Sequence, residues 1–262
     1  MKVWETYLEP VKYTDDIYHI GGASGPCWAI KSTDGLILLD TAMPQQLYQI
    51  VINLNKIGYD IKDVKHIIHS HGHIDHIGGT RPIVEMSGAK TYISRLDAPT
   101  VKGENDLQWT TQFGMPFEVP FTPDVLLDDG DKITIGDKTF EFVSCPGHTF
   151  GTMSIFFNCT DKGKTYRAGM FGGGGLNTMI KAYMDRYGID YSIRKAFIDG
   201  IDKIMDEKVQ VHLGNHLGDN KHKEKLALVG GDKNPFIDES TWKWFLEMRR
   251  AEAIEKFNQD KV

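Results

Sequence analysis

Cysteine is scarce in this chain, with only Cys27, Cys145 and Cys159 in 262 residues. One pair at most could form, so no dense disulfide framework holds the fold. No window approaches the ~18 consecutive apolar residues of a membrane-spanning helix. The opening Met1-Lys2-Val3-Trp4-Glu5 has one basic residue but lacks the apolar core of ~7–15 residues found in a secretory leader. The expected location is cytoplasmic, or periplasmic or secreted if a leader was removed before this numbering. Positive charge is not in excess: 30 Lys and Arg against 36 Asp and Glu leave a net charge of -6. Such a balance gives no global pull toward nucleic acid or anionic membrane, so neither is an expected partner. No low-complexity tract, short-period repeat or long linker interrupts the chain.

What is present suits a packed enzyme. Hydrophobic residues make up 40% and aromatics 11%, enough for a sizeable core. At ~150 residues per domain the length allows one or two domains. With no linker, a single domain over 1–262 is expected. Short apolar runs alternate with helical patterns. Asp16–Ile20, Cys27–Ile30, Leu36–Leu39, Val64–Ile68 and Thr91–Ser94 read as strands. Pro44 suits a first helical position, and Leu47, Ile50, Val51, Leu54 and Ile57 line one helix face before Gly58 stops it. A helix is expected from about Gly79 to Met86. Val125–Leu127, Lys132–Ile135, Phe140–Val143 and Met153–Phe157 read as a meander. Tyr191–Met205 reads as a helix and Val209–Leu213 as a strand. In the C-terminal helix Trp242, Phe245, Leu246 and Ala253 share a stripe. Residues 100–124, with Pro116, Pro120 and Pro123, read as an irregular and mobile loop. Its Trp109, Phe113 and Phe117 suit either a hydrophobic lid or a packed surface loop. These patterns predict a layered α/β domain with sheets inside and helices outside.

Chemistry concentrates in one place. Of ten histidines, five fall between His66 and His76. The segment His69-Ser-His71-Gly-His73-Ile-Asp75-His76-Ile-Gly78-Gly79 begins where a β-branched strand ends. Imidazole is the commonest metal-ligating side chain, and a carboxylate among histidines adds charge for a divalent ion. In an extended segment alternate residues point the same way, so His71 and His73 can reach one ion. A turn at Ile74 sends Asp75 and His76 toward a second point. The spacing suits two adjacent metals better than one. A merely polar turn would bury unpaired imidazoles at a cost of several kcal/mol. A closed structural zinc site is usually rich in cysteine, and no cysteine lies nearby.

His71-x-His73-x-Asp75-His76 with Gly78-Gly79 resembles the signature of the metallo-β-lactamase superfamily. Only the frame starting at His71 fits, which leaves His66 and His69 as packing or supporting residues. Leu36–Asp40 resembles the family strand whose terminal aspartate supports the site. Cys145-Pro-Gly-His148-Thr resembles the segment that supplies a third ligand, and Asn215-His216-Leu-Gly the late segment that supplies the last. His212 competes with His216, which is favoured because ligands in this fold sit just past strand ends. Pro10–Ile20, Asn53–Val64 and Asn234–Asp238 resemble subclass B3 metallo-β-lactamases, and the likeness covers most of residues 10–257.

The resemblance implies a four-layer αββα sandwich with two central mixed sheets. It implies two Zn2+ per chain, one held by His71, His73 and His148 and the other by Asp75, His76 and His216. Asp75 would also accept a hydrogen bond from the attacking nucleophile. Cys145 is expected to be a core or turn thiol. The implied activity is hydrolysis of the β-lactam amide, with antibiotic resistance as a physiological role. The alternative is a cytosolic hydrolase of another ester, lactone or amide.

Two departures bear on that choice. The strand reading Tyr166–Met170 is followed by Phe171 and Gly172–Gly175, with no carboxylate to bridge two metals. This agrees with subclass B3 and argues against glyoxalase II-like, di-iron and typical lactonase members. The serines that B3 enzymes usually carry there are also missing. Arg167, Lys181 or Asn177 could replace them. The glycine run reads either as a flexible loop or as a close backbone approach to substrate. It lacks the Gly-Lys-Ser/Thr ending of a phosphate loop.

Overall fold

The computed structural model describes residues 6–115 and 120–260. Pro116 and Phe117 of the expected loop, and Met1–Glu5, lie outside them.

Among the described residues the first sheet runs β1 (Val11–Lys12), β2 (Ile17–His19), β3 (Trp28–Ser32), β4 (Gly35–Leu39), β5 (Val64–Ile68), β6 (Lys90–Ser94) and β7 (Val125–Leu127), paired in that order. β1 to β4 pair antiparallel, and β4 to β7 pair parallel. The parallel crossovers carry α1 (Leu47–Lys56), α2 (Ile74–Ile77), α3 (Thr80–Ser87), α4 (Ala98–Val101) and α5 (Thr110–Phe113). The second sheet comprises β8 (Lys132–Ile135), β9 (Lys138–Ser144), β10 (Met153–Asp161), β11 (Lys164–Met170) and β12 (Val211–His212). Its order is β12-β11-β10-β9-β8, antiparallel except for the β11–β12 pair. The remaining helices are α6 (Lys181–Tyr187), α7 (Ser192–Ile204), α8 (His222–Leu226) and α9 (Ser240–Gln259).

Strand parity sorts the core into layers. On β4, Ile37 and Leu39 face the second sheet, where they meet Phe140, Phe142, Ile155 and Phe157. Leu36 and Leu38 face outward onto Ile50 and Leu54 of α1 and Ile83 of α3. β4 is covered on both faces, so its sequence is an unbroken apolar run. On β10, Phe156 points the other way from Ile155 and Phe157. It packs with Phe197 and Ile201 of α7 and Trp242, Phe245 and Leu246 of α9. Each fully buried side chain of this size contributes roughly 1.5–3 kcal/mol. The result is the expected αββα sandwich of two mixed sheets.

Some elements differ from the sequence reading. Val125–Leu127 does not join the second-half meander. It pairs parallel with β6 (Tyr92↔Val125) and closes the edge of the first sheet. Three residues carry too little pattern to name a partner, so tertiary pairing decided this. The strand expected over Val209–Leu213 narrows to Val211–His212. The irregular 100–124 segment is tied down where it is described. Ile74 N donates to Gln108 O (2.8 Å), Gln108 Nε2 to Thr100 O (2.7 Å) and Phe121 N to Val101 O (3.0 Å).

Candidate metal centre

β4 and β5 lie side by side and end together, which brings Asp40 against the loop that follows Ile68. Asp40 adopts left-handed backbone (φ 58°) and is fully buried. Its Oδ1 accepts from Ser70 N (2.8 Å), and its Oδ2 from Ser70 Oγ (2.7 Å) and His76 Nδ1 (2.7 Å). Ser70 Oγ in turn accepts from His71 Nδ1 (3.0 Å) and from Asn215 Nδ2 (3.1 Å). His148 Nδ1 donates to Gly175 O (2.9 Å). These bonds occupy Nδ1 of His71, His76 and His148 and aim Nε2 of each into the cluster, where a lone pair stands ready on His71 and His148 and is freed on His76 when a cation displaces its proton.

The free nitrogens converge. The donor atoms of His71, His73 and His148 lie within 4.8 Å of one another, as do those of His71, Asp75 and His76. His73 Nδ1 stands 3.0 Å from His148 Nε2. His216 Nε2 is 3.7 Å from Asp75 Oδ2, and His76 Nε2 is 3.5 Å from the same oxygen. All six predicted side chains therefore meet at one end of the sandwich. His216 is half-exposed and the others are buried. Buried His71 Nε2 and His76 Nε2 have no hydrogen-bond partner. Buried ring nitrogens that face one another without hydrogen-bond partners fit a cation far better than they fit each other.

The electrostatics agree with that fit. Burial and neighbouring imidazoles hold His71 and His73 well below the usual histidine range, and burial pushes His148 down to about 4. These rings are neutral, the state a metal ligand requires. Burial opposes a charge on His76 as well, but Asp75 and Asp40 outweigh it and raise its pKa to about 10. Burial pushes Asp75 upward, yet His76, His216 and His73 outweigh it and hold the carboxyl well below its usual range.

The competing residues fall elsewhere. His212 is buried against Trp242 and Phe245, with ring centroids at 5.2 and 5.3 Å, so it belongs to the helix-side core. His69 bonds Thr80 Oγ1 through Nε2 (3.2 Å), and His66 bonds the Tyr92 hydroxyl (2.9 Å). Cys145 is a buried thiol pushed up to about 11 by burial, and its Sγ accepts from Ser154 Oγ. All three cysteines are free.

Three contributions were missed from sequence. Asp97 is buried, and its carboxylate ties the two histidine loops together. It accepts from Gly72 N (2.8 Å), Gly151 N (2.8 Å) and Thr149 Oγ1 (2.7 Å). Burial raises its pKa. The only hint was Asp before Ala-Pro, which signals a helix start rather than a clamp. Second, the glycine run is neither a loose loop nor simply a substrate wall. A Cβ on Gly173 would lie 2.6 Å from His148 Cδ2, and one on Gly175 2.7 Å from His148 Cε1. The run is bare so that backbone can pack on the His148 ring. Third, Arg249 of α9 reaches the centre from a helix far along the chain.

A cavity of about 520 Å³ opens over the centre. It is lined by His73, Asp75, His148 and His216 of the centre, by the Trp109 and Phe113 rings, and by Gly174, Gly175, Asn177 and Arg249. Trp109 holds left-handed backbone (φ 70°), and its ring lies 5.6 Å from that of His73 and 4.9 Å from that of Tyr183. Of the three candidates to replace the missing serines, only Asn177 lines this cavity. Arg167 pairs with Glu141 (2.7 Å), and Lys181 bonds Asp185 and Tyr191. No described helix is long and apolar enough to cross a membrane.

Comparison with known proteins agrees with the geometry. The structure superposes on BJP-1, a subclass B3 metallo-beta-lactamase of Bradyrhizobium japonicum, with a TM-score of 0.90 and 26% identity over 99% of this chain and 97% of that one. FEZ-1 from Legionella gormanii shares the fold, with a TM-score of 0.88 and 23% identity over 97% of each chain. Among curated sequences, the probable metallo-hydrolase YflN of Bacillus subtilis is 29% identical over 145 residues, covering 51% of this chain and 54% of its own. A hydroxyacylglutathione hydrolase of Buchnera aphidicola is 28% identical over 130 residues, 49% of this chain and 41% of its own. The chain spans about half, or less, of the length of the curated relatives it matches. Residues 20–161 match the Metallo-beta-lactamase superfamily, and the chain belongs to that superfamily of metal-dependent hydrolases.

Proposed function

We propose that this chain is a two-zinc hydrolase that opens the amide of β-lactam rings. The observation that carries the reading is the pair of inward-facing donor sets. His71, His73 and His148 would hold one ion, and Asp75, His76 and His216 the other. Bound there, a divalent pair acidifies water toward neutrality and polarises a carbonyl. The chain's own residues do the rest. Asp75 presents Oδ2 to His76 and His216, and its other oxygen would be free to accept a hydrogen bond from the nucleophile. Asp40 and the Gly175 carbonyl fix the tautomers of His76 and His148. Trp109 and Phe113 line the cavity and would set apolar surface beside the reacting carbonyl. The substrate is a small molecule, and the chain acts as one folded unit.

The test is a kinetic screen of the purified protein over penicillins, cephalosporins, carbapenems and homoserine lactones, with zinc measured on the same sample. Nitrocefin turnover should stop with chelator and return with zinc. Asp75→Asn should stay folded and lose most activity. A zinc-replete protein inert toward every β-lactam would reject the substrate class. A second reading, hydrolysis of another ester, lactone or amide, is favoured by the hydroxyl-free Gly172–Gly175 run and by the matched metallo-hydrolases, although the missing bridging carboxylate sets this chain apart from glyoxalase II-like members.

A further inference from the structure

We infer that Arg249 is the residue that recognises an anionic group, a carboxylate, on the substrate. The inference rests on the hydrolase reading of the same cavity. Its first support is a break in pattern. On α9, Trp242, Phe245, Leu246 and Ala253 form the buried stripe, and position 249 falls within it, four residues after Phe245 and four before Ala253. An apolar residue would satisfy the helix there. A charged residue that breaks a local rule marks a site where function outweighs packing. The second support is position. Arg249 is the only lysine or arginine among the described residues that line the cavity.

The third support is the state of the guanidinium. Nη1 donates to Glu252 Oε2 (2.8 Å). Nη2 faces Asp219 Oδ1 at 3.6 Å, beyond hydrogen-bond reach, and Nε has no partner. A guanidinium offers five N–H donors in a fork that matches carboxylate geometry. Nε is buried against Gly174, so the donors left for a substrate are those of Nη2, which only the longer ion pair with Asp219 engages. Gly174 makes the room, since a Cβ there would lie 3.3 Å from Arg249 Nε and 3.2 Å from Phe245 Cζ. The glycine run that removes the expected hydroxyls therefore also admits the cation. The competing role is a brace. Asp219 Oδ2 accepts from His216 N (3.0 Å), so Arg249 could act only by steadying Asp219 and the His216 loop.

The experiment compares the zinc-loaded wild type with Arg249→Gln, Arg249→Met and Arg249→Lys. Two substrate pairs differ only in a carboxylate: a cephalosporin and its methyl ester, and a carboxylate-bearing lactone and its neutral counterpart. A thiol-carboxylate and the thiol-amide of equal length, titrated by calorimetry, give a reading that needs no turnover. Arg249→Gln and Arg249→Met should lose about 10- to 100-fold in kcat/KM or affinity on the anionic member, the range of one hydrogen bond to a charged group. The neutral member should be unchanged, and Arg249→Lys should recover part of the loss. Equal loss on both members would make Arg249 a brace and overturn the inference, as would no loss on either. If no β-lactam is turned over but the thiol pair is still discriminated through Arg249, the β-lactam reading fails and the assignment stands. If β-lactams turn over equally well without Arg249, the assignment fails and the reading stands.

Discussion

Removing the Asp97 carboxylate should loosen the metal centre without touching a ligand. Its two oxygens satisfy Gly72 N, which lies between His71 and His73, and Gly151 N and Thr149 Oγ1, just after His148. In Asp97→Ala, Thr149 keeps Thr152 Oγ1 at 2.9 Å, so its hydroxyl is still paired. The two buried N–H groups are not. At about 1–3 kcal/mol for each unsatisfied donor, the loss is about 2–6 kcal/mol. For a chain of this size that lowers Tm by roughly 5–20 °C. Asp97→Asn should cost less. Its carbonyl can sit where Oδ2 serves Gly72 and Thr149, leaving only Gly151 opposed by an NH2 group. Neutralising the side chain also removes a charge that burial disfavours. Because both histidine loops lose their anchor, zinc affinity should fall about 10–100-fold in Asp97→Ala, as for other groups that orient ligands. The assays are thermal unfolding and zinc competition against a chromophoric chelator. Unchanged zinc affinity in Asp97→Ala would refute the view that this carboxylate sets the ligand geometry.

Gly173→Ala should push the His148 ring aside, because its Cβ would lie 2.6 Å from Cδ2. Bound zinc should drop from two toward one per chain with the circular dichroism spectrum intact. Gly218→Ala, with nothing within 4 Å of its Cβ, should keep both ions. His71→Ala should weaken zinc binding and abolish turnover together, read by elemental analysis and nitrocefin rates. His212→Leu should flatten the acid side of the stability curve. Burial lowers His212 from 6.5 to about 3 in the fold. As pH falls below 6.5 the unfolded chain gains a proton that the native state refuses, so stability is lost toward pH 3. At roughly pH 5 this is worth about 2 kcal/mol, and denaturant midpoints of wild type and variant should converge or cross there.

Much of the molecule was legible in its primary structure because the signals are local. Alternation and apolar runs marked β2 to β6 and β8 to β10. A 3.6-residue stripe marked α1 and α9, since period and face are properties of neighbouring residues. His71, His73, Asp75 and His76 stood in one compact motif whose spacing already suited two metals, whereas His148 entered only through the family resemblance of its segment. Other features needed the folded chain. Nothing near Val125 says that it pairs with Tyr92, and nothing near Asp97 says that its carboxylate spans two loops. The packing of Gly173 and Gly175 on His148 could not be read from the glycine run, nor could the reach of Arg249 into the cavity. His216 was preferred to His212 only through the family habit of placing ligands past strand ends, and the fold shows why: His212, on β12, packs against Trp242 and Phe245, while His216, in the loop beyond, approaches Asp75. Covalent order thus determined which residues could form strands, helices and metal-binding turns. Tertiary structure decided which distant groups share a hydrogen bond or a cavity wall, because those relations depend on closing long loops and burying both partners together.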